Sequence, residues 1–253
     1  VLIKEGDPAG NPWGASFMRM FDMTNDSHLF RTRDELERDS WTLTGNVFER
    51  GPDRMFPLYQ GRFIKHYDHR AELSEDEHHF PDSRAIPQYW VPQSAVHGKV
   101  ATKTRSIEPV YAFRNIGRST DERSHIGAII PLVGVGNSAP IITTHSPRST
   151  LTLAGMLSSY VCDFTVRQKL GSATMNFFIV EQTAVPKPRA SLNFSVADSE
   201  TWIATRVAEL ADTADDMGSV RIAMAVGGGP FVWDLARRFQ LRAELDAAMF
   251  HIY

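Results

Sequence analysis

The chain has 253 residues, 42% of them hydrophobic and 23% charged, with a formal net charge of -3 at pH 7. This composition argues against a disordered chain, and the charge argues against nucleic-acid binding by bulk electrostatics, so any such contact needs a local basic patch. The single cysteine, Cys162, excludes an internal disulfide and a cysteine-based zinc site and fits a reducing cytoplasm, while the longest apolar run, 126–135, falls far short of the ~20 residues of a membrane span.

No signal peptide is visible, and because the chain opens on Val1 it is expected to belong to something longer. The segment Val1–Gly14, rich in Gly, Pro and Asn, reads as a loop, and its Asn11-Pro12-Trp13 reads as a turn. Thr32-Arg33-Asp34-Glu35 is a capping box that opens a short helix through Arg38. Pro57–Arg70 carries aromatic and cationic side chains together, and Arg62–Tyr67 reads as a strand. His66, Asp68, His69, His78 and His79 are metal-ligand types, although His66-x-Asp68-His69 follows no standard zinc spacing. The alternative is a phosphate-contacting strand followed by a solvated acidic loop around Glu75-Asp76-Glu77.

Arg84–Pro92 is an aromatic extended segment pinned by prolines, and Ser94–Ser106 is weakly patterned and basic. Val110–Ile116 alternates as a strand and places Arg114 on one face. Lys99, Lys103, Arg105, Arg114, Arg118 and Arg123 face only Glu108, Asp121 and Glu122, the most concentrated positive stretch in the chain; a salt-bridged loop is the competing reading. Gly134-x-Gly136-x-x-Ala139 matches a dinucleotide fingerprint in form, but Pro140 and Ile141–Thr144 follow it, so the segment reads as strand, glycine turn, strand.

The stretch Leu151–Pro188 reads as a helix through Phe164, a basic turn at Arg167–Gly171, and a buried strand from Thr174 to Val180, closed by Pro186-Lys187-Pro188. Ser199–Met217 has helical spacing, and Asp234 caps a last helix with Leu241, Leu245, Ala248 and Ile252 on one face. From Ser199 onward acids outnumber bases, which favours a packing or docking module over a DNA surface.

Several stretches, in order, resemble one family: MFDMTNDSHLFRTRDELE, PLYQGRFIKHYDHR, IPQYWVP, FRNIGRSTDERSHIGAIIP, SSYVCDFTVRQKLGSATMNFFIVEQTAVPKP and GGGPFVWDLARRFQLRAELDAAMFHIY. Together they are similar to the target-recognition region in the C-terminal part of adenine-specific DNA methyltransferases of type IIG restriction-modification and related phage-defence systems. Relatives tend to carry a glycine pair after the lysine where this chain has Gly171-Ser172, and the segment Ala71–Ser83 is unusually acidic and histidine-rich.

The resemblance implies an α+β (mixed) fold, a curled mixed β-sheet with packed helices forming a TaqI-like target-recognition domain over 1–190, followed by a small helical docking portion over 191–253. It implies double-stranded DNA and an upstream methyltransferase domain as partners, with no membrane. The parent enzyme is expected to use S-adenosylmethionine; the cofactor loop and the Asn-Pro-Pro-aromatic motif lie outside these residues, so this piece is expected to carry no catalytic, cofactor or metal site. Lys65, Arg70, Arg114, Arg118, Arg123, Arg167 and Lys169 are expected to face DNA, most of them on phosphates, with His66, His69 and Asn176 as further candidates. Asp68, Asp121 and Glu122 are expected to orient these cations. Two other classes stay open: a protein-interaction module without DNA contact, and a metal-dependent nuclease around His66, Asp68 and His69.

Overall fold

The computed structural model describes residues 1–101, 109–117, 121–171, 173–188 and 198–253, which form a mixed α+β fold. β1 (Ser16–Met18) precedes α1 (Arg33–Arg38), which begins with the expected capping box: the Thr32 hydroxyl accepts from the Glu35 amide, and the Glu35 carboxylate accepts from the Thr32 amide. β2 (Thr42–Thr44), β3 (Val47–Arg50) and β4 (Asp53–Tyr59) are joined by tight antiparallel hairpins that turn at Gly45 and Gly51, both at positive φ. α2 (Glu75–His78) is followed by β5 (Trp90–Pro92), which pairs with β4 and runs directly into α3 (Gln93–Ala101). Next come β6 (Val110–Phe113), β7 (Gly127–Ile130), β8 (Gly134–Val135) and β9 (Ile141–Thr143). The helices α4 (Pro147–Leu157), α5 (Tyr160–Arg167), α6 (Phe177–Glu181), α7 (Ser199–Ala211), α8 (Gly218–Met224) and α9 (Leu235–Ile252) complete the chain.

The strands make two sheets. One has the order β1-β9-β6-β7 and is antiparallel throughout; the other has the order β2-β3-β4-β5, antiparallel, with β8 added in parallel at the end of β4. The first sheet is a wall between two cores, because successive side chains on a strand point to opposite faces. Tyr111, Phe113, Ile129 and Ile142 join a helical core with Leu151, Ile203, Val207 and Leu245, whereas Val110, Ala112, Ala128, Ile130 and Ile141 join Tyr59, Phe63, Val91 and Val96 on the other side. Two glycines set close approaches: a Cβ on Gly127 would sit 2.2 Å from the Tyr111 hydroxyl, and one on Gly155 would sit 2.8 Å from Ile203 Cγ2, which lets α4 and α7 pack backbone-close.

Several expected elements differ. The single curled sheet is replaced, among the described residues, by these two sheets. The helix expected through Phe164 breaks after Leu157, because the Ser159 hydroxyl caps a new helix by accepting from the Cys162 amide. The expected strand Thr174–Val180 is a single bridge, Ile116↔Thr174, followed by the helix α6, which buries Ile179 and Val180 and leaves Phe178 exposed. Arg62–Tyr67 is not a strand: Gly61–Phe63 is a 3-10 turn, and Lys65 pairs back onto Asp68. The Ser74 hydroxyl and the Glu77 carboxylate form an unforeseen capping box that turns the acidic run into α2. Residues on both sides of the expected boundary at 190/191 share the helical core. No helix among the described residues is long and apolar enough to cross a membrane.

Candidate nucleic-acid interface

β6 ends at Phe113, paired with Gly127 at the start of β7, so Arg114 and the connection beyond it emerge together at one end of the wall. α5 pins that connection. The Asp163 carboxylate accepts from the Ser124 amide at 2.5 Å and from Arg167 Nε at 2.6 Å, and Arg167 Nη2 donates to the Asp121 carbonyl at 3.0 Å. Arg123 is 2% exposed: it pairs with Glu122 at 3.1 Å and with Asp246 on α9 at 3.2 Å, and lies over the Tyr160 ring. Arg242 also pairs with Glu122, so loop 121–123 ties α5 to α9 through charge-assisted bonds.

Where this loop meets Lys65–Asp68 and the start of α9, a cleft of about 600 Å³ opens; Lys65, His66, Arg114, Trp233, Phe239 and Arg242 are among its walls. Arg114 and Asp121 also line a second hollow with Gln60, Arg62, Asn137 and Ser138, so the two depressions run on from one another. Lys65 is exposed and forms no ion pair among the described residues. Arg114 Nε donates to the Ile64 carbonyl at 2.5 Å, which holds the guanidinium between the hollows. His66 Nδ1 is buried without a hydrogen-bond partner among the described residues. Burial and the neighbouring Arg123 and Arg242 hold the His66 imidazole well below its ordinary pKa, so the ring is neutral. Arg238 donates to the Leu210 and Tyr67 carbonyls and stacks on Trp233 at 3.8 Å, and burial pulls it down to about 10, still cationic at neutral pH.

The structure therefore sorts the expected contacts. Lys65, His66, Arg114 and Arg123 come together at the cleft. Arg70 and His69 do not face solvent. Arg70 is 0% exposed, its guanidinium donating to the carbonyls of Phe80, Ser83, His78 and Thr213. His69 is buried against Asp216 at 3.3 Å. Both leave the proposed surface because they are held inside the fold, Arg70 by bonds from both terminal guanidinium nitrogens and His69 by Asp216, and Arg123, though at the cleft wall, is held through its terminal nitrogens in the same way. Arg167 acts on the loop, not outward, while Lys169 is exposed and donates to the Gln182 carbonyl. Asn176 is the N-cap residue of α6, and Arg118 lies outside the described residues. Asp68 pairs with His78 at 3.3 Å; burial alone would raise its pKa, but His78 and the Arg70 amide hold it below the usual value. With His69 turned to Asp216 and His78 to Asp68, no three metal-ligand side chains converge among the described residues, and the nuclease reading has no cluster to stand on.

Trp233, Phe239 and Arg242 are the site residues that sequence reasoning missed. The available signal was local: Phe239 and Arg242 lie three apart on one helical face, hidden in a segment whose overall charge is acidic. Two of the segment's acids sit elsewhere, Glu209 paired to Arg237 and Glu244 to Arg206, while Asp246 holds Arg123 at the cleft wall. No protein-family model matches this chain, and no curated protein matches it.

Proposed function

We propose that the chain is the DNA target-recognition part of a site-specific adenine DNA methyltransferase of the restriction-modification or phage-defence type, TaqI-like in its role, acting in the cytoplasm. It holds duplex DNA while an upstream domain transfers a methyl group from S-adenosylmethionine. The observation that carries this reading is the pair of adjoining hollows joined at Arg114, with Lys65, Arg62 and Arg242 at their walls on a scaffold made rigid by buried cations. Exposed Lys65 suits phosphate contact, with Arg62 and Arg242, paired to Glu72 and Glu122, flanking it, and Arg114 between the hollows suits a base edge or a second phosphate. In this reading the chain supplies grip and register, and the methyl chemistry belongs to its partner domain.

The test is a titration of the full chain with labelled duplex DNA over a range of salt. The expected result is affinity that falls steeply with salt and drops with a combined Lys65→Ala, Arg114→Ala, Arg242→Ala replacement. No binding at low salt would overturn it. One observation favours the docking alternative: Phe164 on α5 and Phe250 on α9 are 66% and 78% exposed on packed helices. If Phe164→Ser with Phe250→Ser abolishes association with a methyltransferase domain while the duplex is never bound, docking is the function.

A further inference from the structure

The cleft at α9 has a chemistry that phosphate contact alone does not account for. Its volume, about 600 Å³, lies within the ~300–1,000 Å³ of small-ligand sites and is far too small for a duplex. Lys65, exposed and without an ion pair among the described residues, supplies positive charge at its wall, while Arg242 is paired to Glu122 in the same wall. Phe239 lines the same cleft and is 72% exposed, a large ring left in water beside the buried indole of Trp233. A ring in that position gains from being covered by another flat surface. Glu75, exposed, also lines the cleft, whereas Asp68 is buried and already taken by His78 and the Arg70 amide. An ionised carboxylate only accepts hydrogen bonds, so Glu75 repels a bare phosphate and attracts N–H groups. His66 stands in the same wall, neutral, with Nδ1 unpartnered among the described residues.

The walls thus ask for a ligand with an anionic end, a planar middle and an amine-bearing edge. The geometry points to a single-nucleotide pocket, in which a base stacks on Phe239, its phosphate meets Lys65, and its exocyclic amine is turned to Glu75. Adenine, cytosine and guanine carry such an amine; thymine does not. The nucleotide has two possible sources, a free mononucleotide or a residue turned out of a DNA strand, and only the second rests on the DNA reading above.

The experiment titrates the full chain and its Phe239→Ala and Phe239→Tyr variants with dAMP, dCMP and dTMP, with a perfect duplex, and with the same duplex carrying one bulged adenine. Because Phe239 is exposed, both variants should keep the fold, which a thermal melt checks. The strand source predicts that the bulged duplex binds about tenfold more tightly than the perfect one, that Phe239→Ala brings this ratio down to about one whatever it does to perfect-duplex affinity, and that Phe239→Tyr restores the ratio. The free source predicts that dAMP and dCMP bind more tightly than dTMP, with the same dependence on residue 239. Mononucleotide binding without any duplex binding keeps the pocket and removes the DNA reading. Duplex binding that is indifferent to the bulge, with no mononucleotide binding, removes the pocket and keeps the DNA reading. Binding of none of the probes removes both.

Discussion

Lys65 and Arg70 come from one short stretch, yet they end in two different regions, the wall of a cleft and the inside of a junction. Arg70 is fully buried and donates to carbonyls on the Leu73–Ser83 side and to Thr213 far along the chain, so it joins the β-rich half to the last third. Lys65 is exposed and ion-pairs with nothing among the described residues. A planar guanidinium with five donors can satisfy several carbonyls at once, whereas a flexible ammonium on a tight bridge keeps its hydration. Arg238, held by the Leu210 and Tyr67 carbonyls, and Arg242, paired to Glu122, stand with Arg70. These inner cations fix the walls, and Lys65, the outer one, is left to meet a ligand.

The largest expected effect is at the inner set. Arg70→Ala leaves the His78 and Thr213 carbonyls without a donor among the described residues and takes one of two bonds from those of Phe80 and Ser83, in a buried site, and should cost about 3–5 kcal/mol of stability, read by urea denaturation at neutral pH. Arg70→Lys should recover only part of this, since an ammonium has fewer donors and no plane. If Arg70→Ala kept its stability and lost DNA affinity instead, Arg70 would belong to the outer set and the contrast would break.

An intermediate effect comes from His125, which is buried between Phe113, at 5.0 Å, and Tyr111, with both ring nitrogens unpartnered among the described residues. Burial pulls its pKa from 6.5 down to about 4. Between those values the unfolded chain takes up a proton that the native chain refuses, so stability rises with pH through that window. As pH falls from 6.5 to 4 the protein should lose up to about 3 kcal/mol from this group. His66, also depressed, acts with the same sign. Asp212 opposes it: burial raises its pKa from 3.8 to about 6, so the native state keeps a proton there that the unfolded chain releases. His125→Phe should flatten the acid limb of a stability-against-pH curve by about one proton's worth, and an unchanged slope would show that His125 titrates normally.

Local signals in the sequence reached local structure. The Thr32 capping box, the Asp234 cap and the two strands expected within Gly127–Thr144 stand as expected, because each depends on residues within a few positions of one another, while the glycine turn expected between those strands holds the short strand β8. The run Thr174–Val180 misled, since its apolar residues suit a strand or a short buried helix equally, and only the packing of Ile179 and Val180 decides. What separates Arg70 from Lys65 was not legible at all: the deciding partner, Thr213, is 143 positions away. Clustering of cations told that a basic region exists, and tertiary contacts decided which of its members point outward.

The smallest expected effect on stability is at Lys65, and it tests the outer half of the contrast most directly. Lys65 makes its fold contacts through its backbone, whose amide donates to the Asp68 carbonyl at 2.8 Å, so Lys65→Ala should keep stability within about 0.5 kcal/mol. If its ammonium meets one phosphate, the slope of log affinity against log salt should shrink by about 0.9 in the variant, with weakening uniform across DNA sequences. A slope that does not change, with affinity intact, would leave the cleft wall without its clearest phosphate contact. Loss of stability of the size expected for Arg70→Ala would mean that Lys65 too is a strut, and the division between inner and outer cations would no longer hold.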